Sequence, residues 1–225
     1  MRPLLFIFLI ALTACARPLT PEEKSFAKQI HGPTIDVTRI RVRNGALVGE
    51  TTFKRQKRPR LACRERILPE REEEVVTVSP AALVLYNEVF YARDWYEPNF
   101  LPEYPQAMSL FHVMLFAHEI THVWQWQNRA VTNYTPIKSA SEHTRSDDPY
   151  LFDLNTSARF LDYGYEQQAS IVEEYVCCKA LDPAAPRTER LAKLLRGAFP
   201  LGDLKIPETV ILPWDEAETK GICRI

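Results

Sequence analysis

The pattern of apolar and polar residues predicts strands in the first part of the chain. Between about residues 35 and 92, alternating and β-branched stretches such as Ile40-Arg41-Val42-Arg43 dominate, and this alternation is typical of half-buried strands. The Asn44-Gly45 pair that follows predicts a hairpin. Two more strands are predicted at 75–78 and 82–86 from their β-branched and aliphatic residues.

From about residue 105 onward the apolar pattern becomes helical. A first helix is predicted from near Pro105 through about Arg129, and a second over residues 158–181. The predicted fold class is therefore α+β, with a β-rich lobe packed on a helical lobe that spans about 105–225. At 225 residues, of which 46% are apolar, the chain can bury one good core, so we expect residues 16–225 to form a single domain.

The N-terminal residues indicate export. The apolar stretch from Leu4 to Leu12 is too short to cross a bilayer, which takes about 20 residues in a helix. Leu12-Thr13-Ala14-Cys15 resembles the lipobox of bacterial lipoproteins, which implies removal of residues 1–14 and lipidation of Cys15. By the same resemblance, Ala16 favours the periplasmic face of the outer membrane. The alternative is an ordinary secretory signal cleaved near this point.

Four further cysteines predict two disulfides, because an even number of cysteines in an exported chain is typical of a disulfide framework. They are Cys63, Cys177, Cys178 and Cys223. Adjacent side chains on a helix diverge by about 100°, so Cys177 and Cys178 are expected to bond separately to the other two, in an undetermined pairing. A structural zinc site is the rival interpretation, although the paired spacing of zinc knuckles is absent.

The stretch LFAHEITHVWQWQ (residues 115–127) carries the candidate chemistry. His118 and His122 lie four residues apart in an apolar helical run, so both imidazoles leave the same face and can share a metal ion. Buried polar groups are costly unless something satisfies them. Glu119 points to the side of such an ion, where a carboxylate can reach a water bound to it. This spacing predicts one zinc ion per chain, with Glu119 as the catalytic residue.

A third metal ligand is needed, and two templates compete for it. One template requires glycine three residues and histidine or aspartate six residues after the second histidine, but Gln125 and Asn128 stand there. The other takes a glutamate from a second helix. Glu166 fits this role best, since small residues one turn on allow close approach of two helices. Glu173 on the same predicted helix is the alternative.

His118-Glu119-x-x-His122 followed by Glu166 resembles the glutamate-zincin (gluzincin) branch of zinc metallopeptidases. LFAHEITHVWQ and EQQASIVEEY also resemble the bacterial DUF4157-like family of metallopeptidases, mainly over residues 105–180. The resemblance implies a zincin-like fold and zinc as cofactor. In gluzincins an aspartate four residues after the ligand glutamate orients one histidine. Ser170 occupies that place here, so Glu173 is the alternative, either as this orienting carboxylate or as the ligand.

The implied activity is hydrolysis of a peptide bond by a membrane-anchored zinc metallopeptidase. Glu119 would take a proton from the attacking water and pass it to the leaving nitrogen. An oxyanion stabiliser is also needed, and Tyr163, Tyr165 and His143 are the candidates. The predicted strand at 82–86 could bind an extended peptide or protein substrate by main-chain pairing.

Two other functions remain open from the sequence. One is a catalytically silent zinc-binding envelope lipoprotein that binds a partner or acts as a scaffold, and the other is a metal-free lipoprotein whose histidines are satisfied core groups. The formal net charge is −1, so nothing argues for nucleic acid as a partner. The residues at 130–157 are long enough for a lid or specificity loop. Proteins, short peptides and cell-wall peptide stems would all fit the chemistry.

Overall fold

The computed structural model describes most of the chain, and the candidate metal site lies within it. The described residues are 16–46, 49–54, 59–70 and 75–224. The predicted signal segment 1–14 and Cys15 lie outside them.

The described residues form an α+β structure of short strands and longer helices. The strands are β1 (Arg17–Pro18), β2 (Arg41–Asn44), β3 (Thr51–Lys54), β4 (Val75–Val78), β5 (Ala82–Leu85), β6 (Glu88–Tyr91), β7 (Ala107–Ser109) and β8 (Thr209–Ile211). The helices are α1 (Pro21–His31), α2 (Cys63–Ile67), α3 (Leu110–Gln127), α4 (Arg129–Thr132), α5 (Pro136–Arg145), α6 (Tyr165–Leu181) and α7 (Pro186–Arg196). The finer zincin-like assignment stays a prediction.

The main sheet has four strands in the order β1-β2-β6-β5. β2 pairs in parallel with β6, with Val42 opposite Val89, so the hairpin predicted at Asn44-Gly45 is wrong. Gly45 instead ends the strand with a φ of 93°, and its N–H donates to the carbonyl of Tyr91. The partner strand comes from distant sequence because Val42 and Val89 are both fully buried, and a local turn signal cannot report such burial. β5 is left at the edge of the sheet, beside α3.

The two predicted long helices are present but start later than the sequence pattern suggests. α3 begins at Leu110 because the preceding residues form β7, in which Met108 pairs with Val210 of β8. α6 begins at Tyr165, after a short 3-10 turn at Phe160–Asp162. α3 and α6 pack against each other along their length, and both are buried on nearly every side. Side chains on their facing surfaces therefore meet in the protein interior.

Both predicted disulfides are present and join distant segments to α6. Cys63 bonds to Cys177, and Cys178 bonds to Cys223, so the adjacent cysteines bond separately as expected. Sulfurs of three of the four lie close enough together to surround a metal ion. In disulfides they are not thiolates, however, and the thiolate is the form that binds zinc. The Cys63–Cys177 disulfide therefore joins α2 to α6, and the Cys178–Cys223 disulfide joins the C-terminal segment (residues 212–224) to α6.

His31 shows what a buried histidine of the core looks like in this protein. Its ring is fully buried, stacked on Trp124 at 5.6 Å between ring centroids and in edge contact with Phe199 at 4.7 Å. Its Nε2 lies 3.4 Å from the hydroxyl of Thr121. Burial lowers the pKa of His31 to about 3, so the ring is neutral and serves packing.

We expect His31→Gln to flatten the acid dependence of stability. The unfolded chain takes up a proton as the pH falls through about 6.5, whereas folded His31 stays neutral down to about 3. His31 therefore contributes a loss of stability in this window, of about 2 kcal/mol between pH 7 and pH 5. Urea unfolding at both pH values measures this loss. An equal loss in the variant would show that His31 is not its source.

Candidate metal centre

His118, His122 and Glu166 converge at one point between α3 and α6. Oε2 of Glu166 lies 3.3 Å from Nε2 of His118 and 3.3 Å from Nε2 of His122. Two ligands bound to zinc at about 2.0–2.1 Å with a tetrahedral angle lie roughly 3.3 Å apart. All three side chains are buried, and their ligand atoms could hold a metal ion. A tetrahedral ion would keep one further position for water or substrate.

The opposite nitrogen of each imidazole is held by a second side chain. Nδ1 of His118 lies 3.3 Å from Oε2 of Glu173, and Nδ1 of His122 lies 2.8 Å from Oε1 of Gln125. The Gln125 amide nitrogen donates to Gln168, which turns its oxygen toward His122. Both rings can thus donate from Nδ1 and leave the Nε2 lone pair for a metal. Gln125, the residue at which one sequence template fails, has an orienting role.

The charges of the cluster are strongly coupled. Burial lowers the pKa of His118, but its hydrogen bonds with Glu166 and Glu173 outweigh this and raise it to about 10. Burial raises the pKa of Glu166, but His122 and His118 outweigh this and hold it well below its ordinary value. Without a metal, the protonated imidazole of His118 therefore supplies the positive charge beside the Glu166 carboxylate. Because this proton must leave before a metal binds, metal affinity falls as the pH falls.

Glu119 is a buried carboxylate at the site without a hydrogen-bond partner among the side chains of the described residues. It is 7% exposed, and none of the described residues forms a hydrogen bond with its side chain. Burial raises the pKa of Glu119, and the charges of Glu166 and Glu173 act in the same direction, while the two imidazoles oppose them. A carboxylate in this state can accept a hydrogen bond from water and take its proton.

α5 supports the candidate ligand Glu166, a role that the sequence interpretation missed. The Ser139 hydroxyl donates to Oε1 of Glu166 at 2.8 Å, and Nε2 of His143 lies 3.4 Å from the same oxygen. The Glu142 carboxylate accepts hydrogen bonds from the backbone N–H groups of Tyr165 and Glu166, at 2.8 and 3.0 Å. Within the predicted lid at 130–157, residues of α5 are therefore hydrogen-bonded to Glu166 and support it. The Thr135-Pro136 helix start is the signal that could have found it.

Two of the three candidate oxyanion stabilisers point away from the metal ligands. The Tyr163 hydroxyl donates to the carbonyl of Asp153 at 3.0 Å, and the Tyr165 hydroxyl donates to that of Asn133 at 2.8 Å. His143 remains beside the site through its contact with Glu166.

Tyr150 is a further aromatic group at the site that sequence reasoning missed. Its ring lies 5.8 Å from the His118 ring and 5.5 Å from the His143 ring, between centroids. Burial raises the pKa of Tyr150, and the charge of Glu166 adds to this effect. The phenol therefore stays protonated and can donate a hydrogen bond.

No family model matches the chain. It is similar to the type VI secretion system spike protein VgrG2b of Pseudomonas aeruginosa, at 26% identity over 186 residues. This match covers 83% of the chain but 15% of the spike protein. The chain is also similar to the solved effector domain of Pseudomonas aeruginosa VgrG2b, with a TM-score of 0.50 and 22% identity. The superposition covers 82% of this chain and 84% of that domain, so the two share a fold.

These similarities correct three predictions. The resemblance to the DUF4157-like family and its gluzincin relatives is wrong, because the chain is similar instead to VgrG2b and to its effector domain. The membrane-anchored peptidase and the outer-membrane lipoprotein with lipidated Cys15 are wrong for the same reason, because the similarity is to a type VI secretion spike protein and its effector domain. In the described part of the chain, no helix is long and apolar enough to span a membrane. The His118-Glu119-x-x-His122 motif is too short to identify a family, and the N-terminal pattern is too general to identify a lipoprotein.

Proposed function

We propose that this chain is a zinc-dependent peptidase whose metal ligands are His118, His122 and Glu166. The observation that carries the proposal is the 3.3 Å spacing of the Glu166 oxygen from both imidazole nitrogens, with the buried Glu119 beside them. Two imidazoles and one carboxylate form a donor set that suits zinc, and three protein ligands with one open position are typical of catalytic zinc.

Each residue of the site would have its own role in peptide hydrolysis. Zinc at this site would lower the pKa of a bound water to about 7 and polarise the substrate carbonyl. Glu119 takes the proton of the attacking water and delivers it to the leaving nitrogen. Glu173 and Gln125 keep the two imidazoles in the orientation that ligation requires. Tyr150 lies beside His118 and His143, so Tyr150 and His143 are the candidate donors to the substrate oxygen.

The edge strand β5 is the element that we propose for substrate binding. In the four-stranded sheet it pairs only with β6, and it lies beside α3. No strand of the described residues pairs with its outer edge, which could therefore pair with an extended peptide. The side chains of Leu83 and Leu85 are partly exposed on this strand, so apolar substrate residues could pack there. The sequence interpretation proposed the same segment.

We extend an effector role to this chain from its similarity to VgrG2b. The matched structure is described as the effector domain of that spike protein, and the match covers 82% of the chain. Because the chain spans 15% of the spike protein, the proposal concerns an effector module alone. The two disulfides favour an oxidising compartment as the place where the folded chain acts.

Metal removal tests the proposal directly. We expect the purified protein to contain about one zinc per chain and to cleave an unstructured protein such as casein. Treatment with 1,10-phenanthroline should abolish cleavage, and added zinc should restore it, because the water is activated only when zinc is bound. Metal analysis and the appearance of new amino termini are the measurements. A folded protein that takes up zinc without cleaving any of a broad peptide library would overturn the peptidase proposal.

A further inference from the structure

A continuous line of contacts connects the Cys63–Cys177 disulfide with the metal ligand His118. Glu173 joins the two ends: one of its oxygens lies 3.3 Å from Nδ1 of His118. On its other side, Nη1 of Arg64 lies 3.0 Å from Oε1 and 3.1 Å from Oε2 of the same carboxylate. Arg64 directly follows Cys63 at the start of α2. The disulfide thus fixes Cys63, and its neighbour Arg64 contacts Glu173.

α2 depends on tertiary contacts for its position. It has five residues, and an isolated helix of this length does not form in water. The disulfide holds its first residue to α6, where the N–H of Cys63 also donates to the Glu174 carboxylate at 2.9 Å. Near its other end, the carbonyl of Arg66 accepts a hydrogen bond from the N–H of Glu218. Two carboxylates of α6 therefore bind α2: Glu173 contacts the Arg64 guanidinium, and Glu174 accepts from the N–H of Cys63.

We propose that Arg64, held in place by the Cys63–Cys177 disulfide, is a positioning residue for the metal centre. It fixes the Glu173 carboxylate, which in turn fixes the His118 imidazole. The inference rests on the proposed function, since it concerns the zinc site named there. It adds that metal affinity depends on a contact made from α2, which contributes no metal ligand.

Burial explains why Glu173 needs a cationic partner. The carboxylate is 5% exposed, and a buried carboxylate is costly unless it is paired. A single guanidinium nitrogen of Arg64, Nη1, contacts both carboxylate oxygens, which restricts how the carboxylate can turn. Without these contacts, Glu173 is free to rotate away from Nδ1 of His118, and the imidazole loses the contact that aims Nε2 at the metal. Partners of this kind are typically worth about 10–100-fold in metal affinity.

A control variant separates the effect of Arg64 on metal binding from its effect on folding. Loss of Arg64 leaves the buried Glu173 carboxylate with the contact to His118, so a loss of stability is expected beside the loss of zinc affinity. Arg66 provides a matched control on the same helix, because its guanidinium donates to the carbonyls of Gly221 and Lys220, away from the ligands. Loss of Arg64 should therefore weaken zinc binding and also lower the melting temperature, whereas loss of Arg66 should leave zinc affinity intact.

The test compares Arg64→Gln, Arg64→Lys and Arg66→Gln with the wild-type chain. Zinc affinity is measured by competition with a chromogenic chelator, and ligand geometry by the visible absorption of the Co²⁺-loaded protein. We expect Arg64→Gln to weaken zinc binding by about 10–100-fold and to change the Co²⁺ spectrum, Arg64→Lys to recover part of the affinity, and Arg66→Gln to match the wild type. A wild-type chain without zinc overturns the proposed function. A wild-type chain that binds zinc no better than Arg64→Gln overturns only this inference.

A second arm tests the role of the disulfide. The pair Cys63→Ala/Cys177→Ala should weaken zinc binding as Arg64→Gln does, and combining the three substitutions should add little, because both changes break the same line of contacts. Effects that add in full would show that the disulfide does not act through Arg64. If the cysteine pair does not fold, the Arg64 variants decide the positioning role by themselves.

Discussion

Replacing Glu119 by glutamine is expected to slow peptide hydrolysis by about 10²–10⁴-fold, the range that general acid–base catalysis supplies. The amide keeps the size of the side chain but cannot take the proton of the attacking water. Glu119 makes no hydrogen bond with the described residues and is not among the three converging ligand groups. Zinc content should therefore stay at about one per chain, and initial rates on casein with the zinc-loaded variant measure the loss.

Glu103→Gln is a matched control, because Glu103 is exposed and lies before β7, outside the site. It should retain the wild-type rate. The same comparison tests the effector role: bacteria that export the wild-type chain should grow more slowly than those that export Glu119→Gln. Full activity in a zinc-loaded Glu119→Gln protein would exclude Glu119 as the base. Equal growth of both strains would exclude an effector that acts by hydrolysis.

The parts of the site that short-range spacing determines could be predicted from the sequence. His118, Glu119 and His122 lie within five residues on one helix, so helical geometry alone places them together. Glu166 was predicted from a family pattern, which the similarity to VgrG2b does not support, and from the small residues one turn on; its Oε2 lies 3.3 Å from both imidazole nitrogens. Helix packing explains this, because α3 and α6 are the two most apolar helical stretches and must bury their surfaces against each other.

The support of the site could not be predicted, because it depends on contacts between distant segments. Ser139 and Glu142 stand in a polar stretch that resembles a loop, and only the docking of α5 on α6 gives them a role. Arg64 lies more than 100 residues from Glu173 in the chain, and no local pattern links them. The parallel pairing of β2 with β6 was missed for the same reason, since a nearby Asn-Gly turn is a stronger local signal than a distant partner.

Glutamine substitutions at Glu166 and Glu173 are expected to weaken zinc binding to different extents, and their order distinguishes ligand from support. Structural zinc binds with about 10–16 kcal/mol. Shared among the four ligands of such a structural site, this amounts to roughly 2.5–4 kcal/mol each, or about 10²–10³-fold in affinity. Loss of the negative oxygen in Glu166→Gln should approach that range. Glu173→Gln should cost about 10–100-fold, because it removes only the contact that orients His118.

The geometry gives the reason for this order. Oε2 of Glu166 is near both Nε2 atoms, while its Oε1 is occupied by the Ser139 hydroxyl at 2.8 Å, so one oxygen is left for the metal. Glu173 instead contacts the Nδ1 side of His118 and the Arg64 guanidinium, where it faces away from the point of convergence. Zinc titrations of the two variants against the same chelator provide the comparison. A larger loss in Glu173→Gln than in Glu166→Gln would make Glu173 the third ligand and would require α6 to sit differently against α3 when the metal is bound.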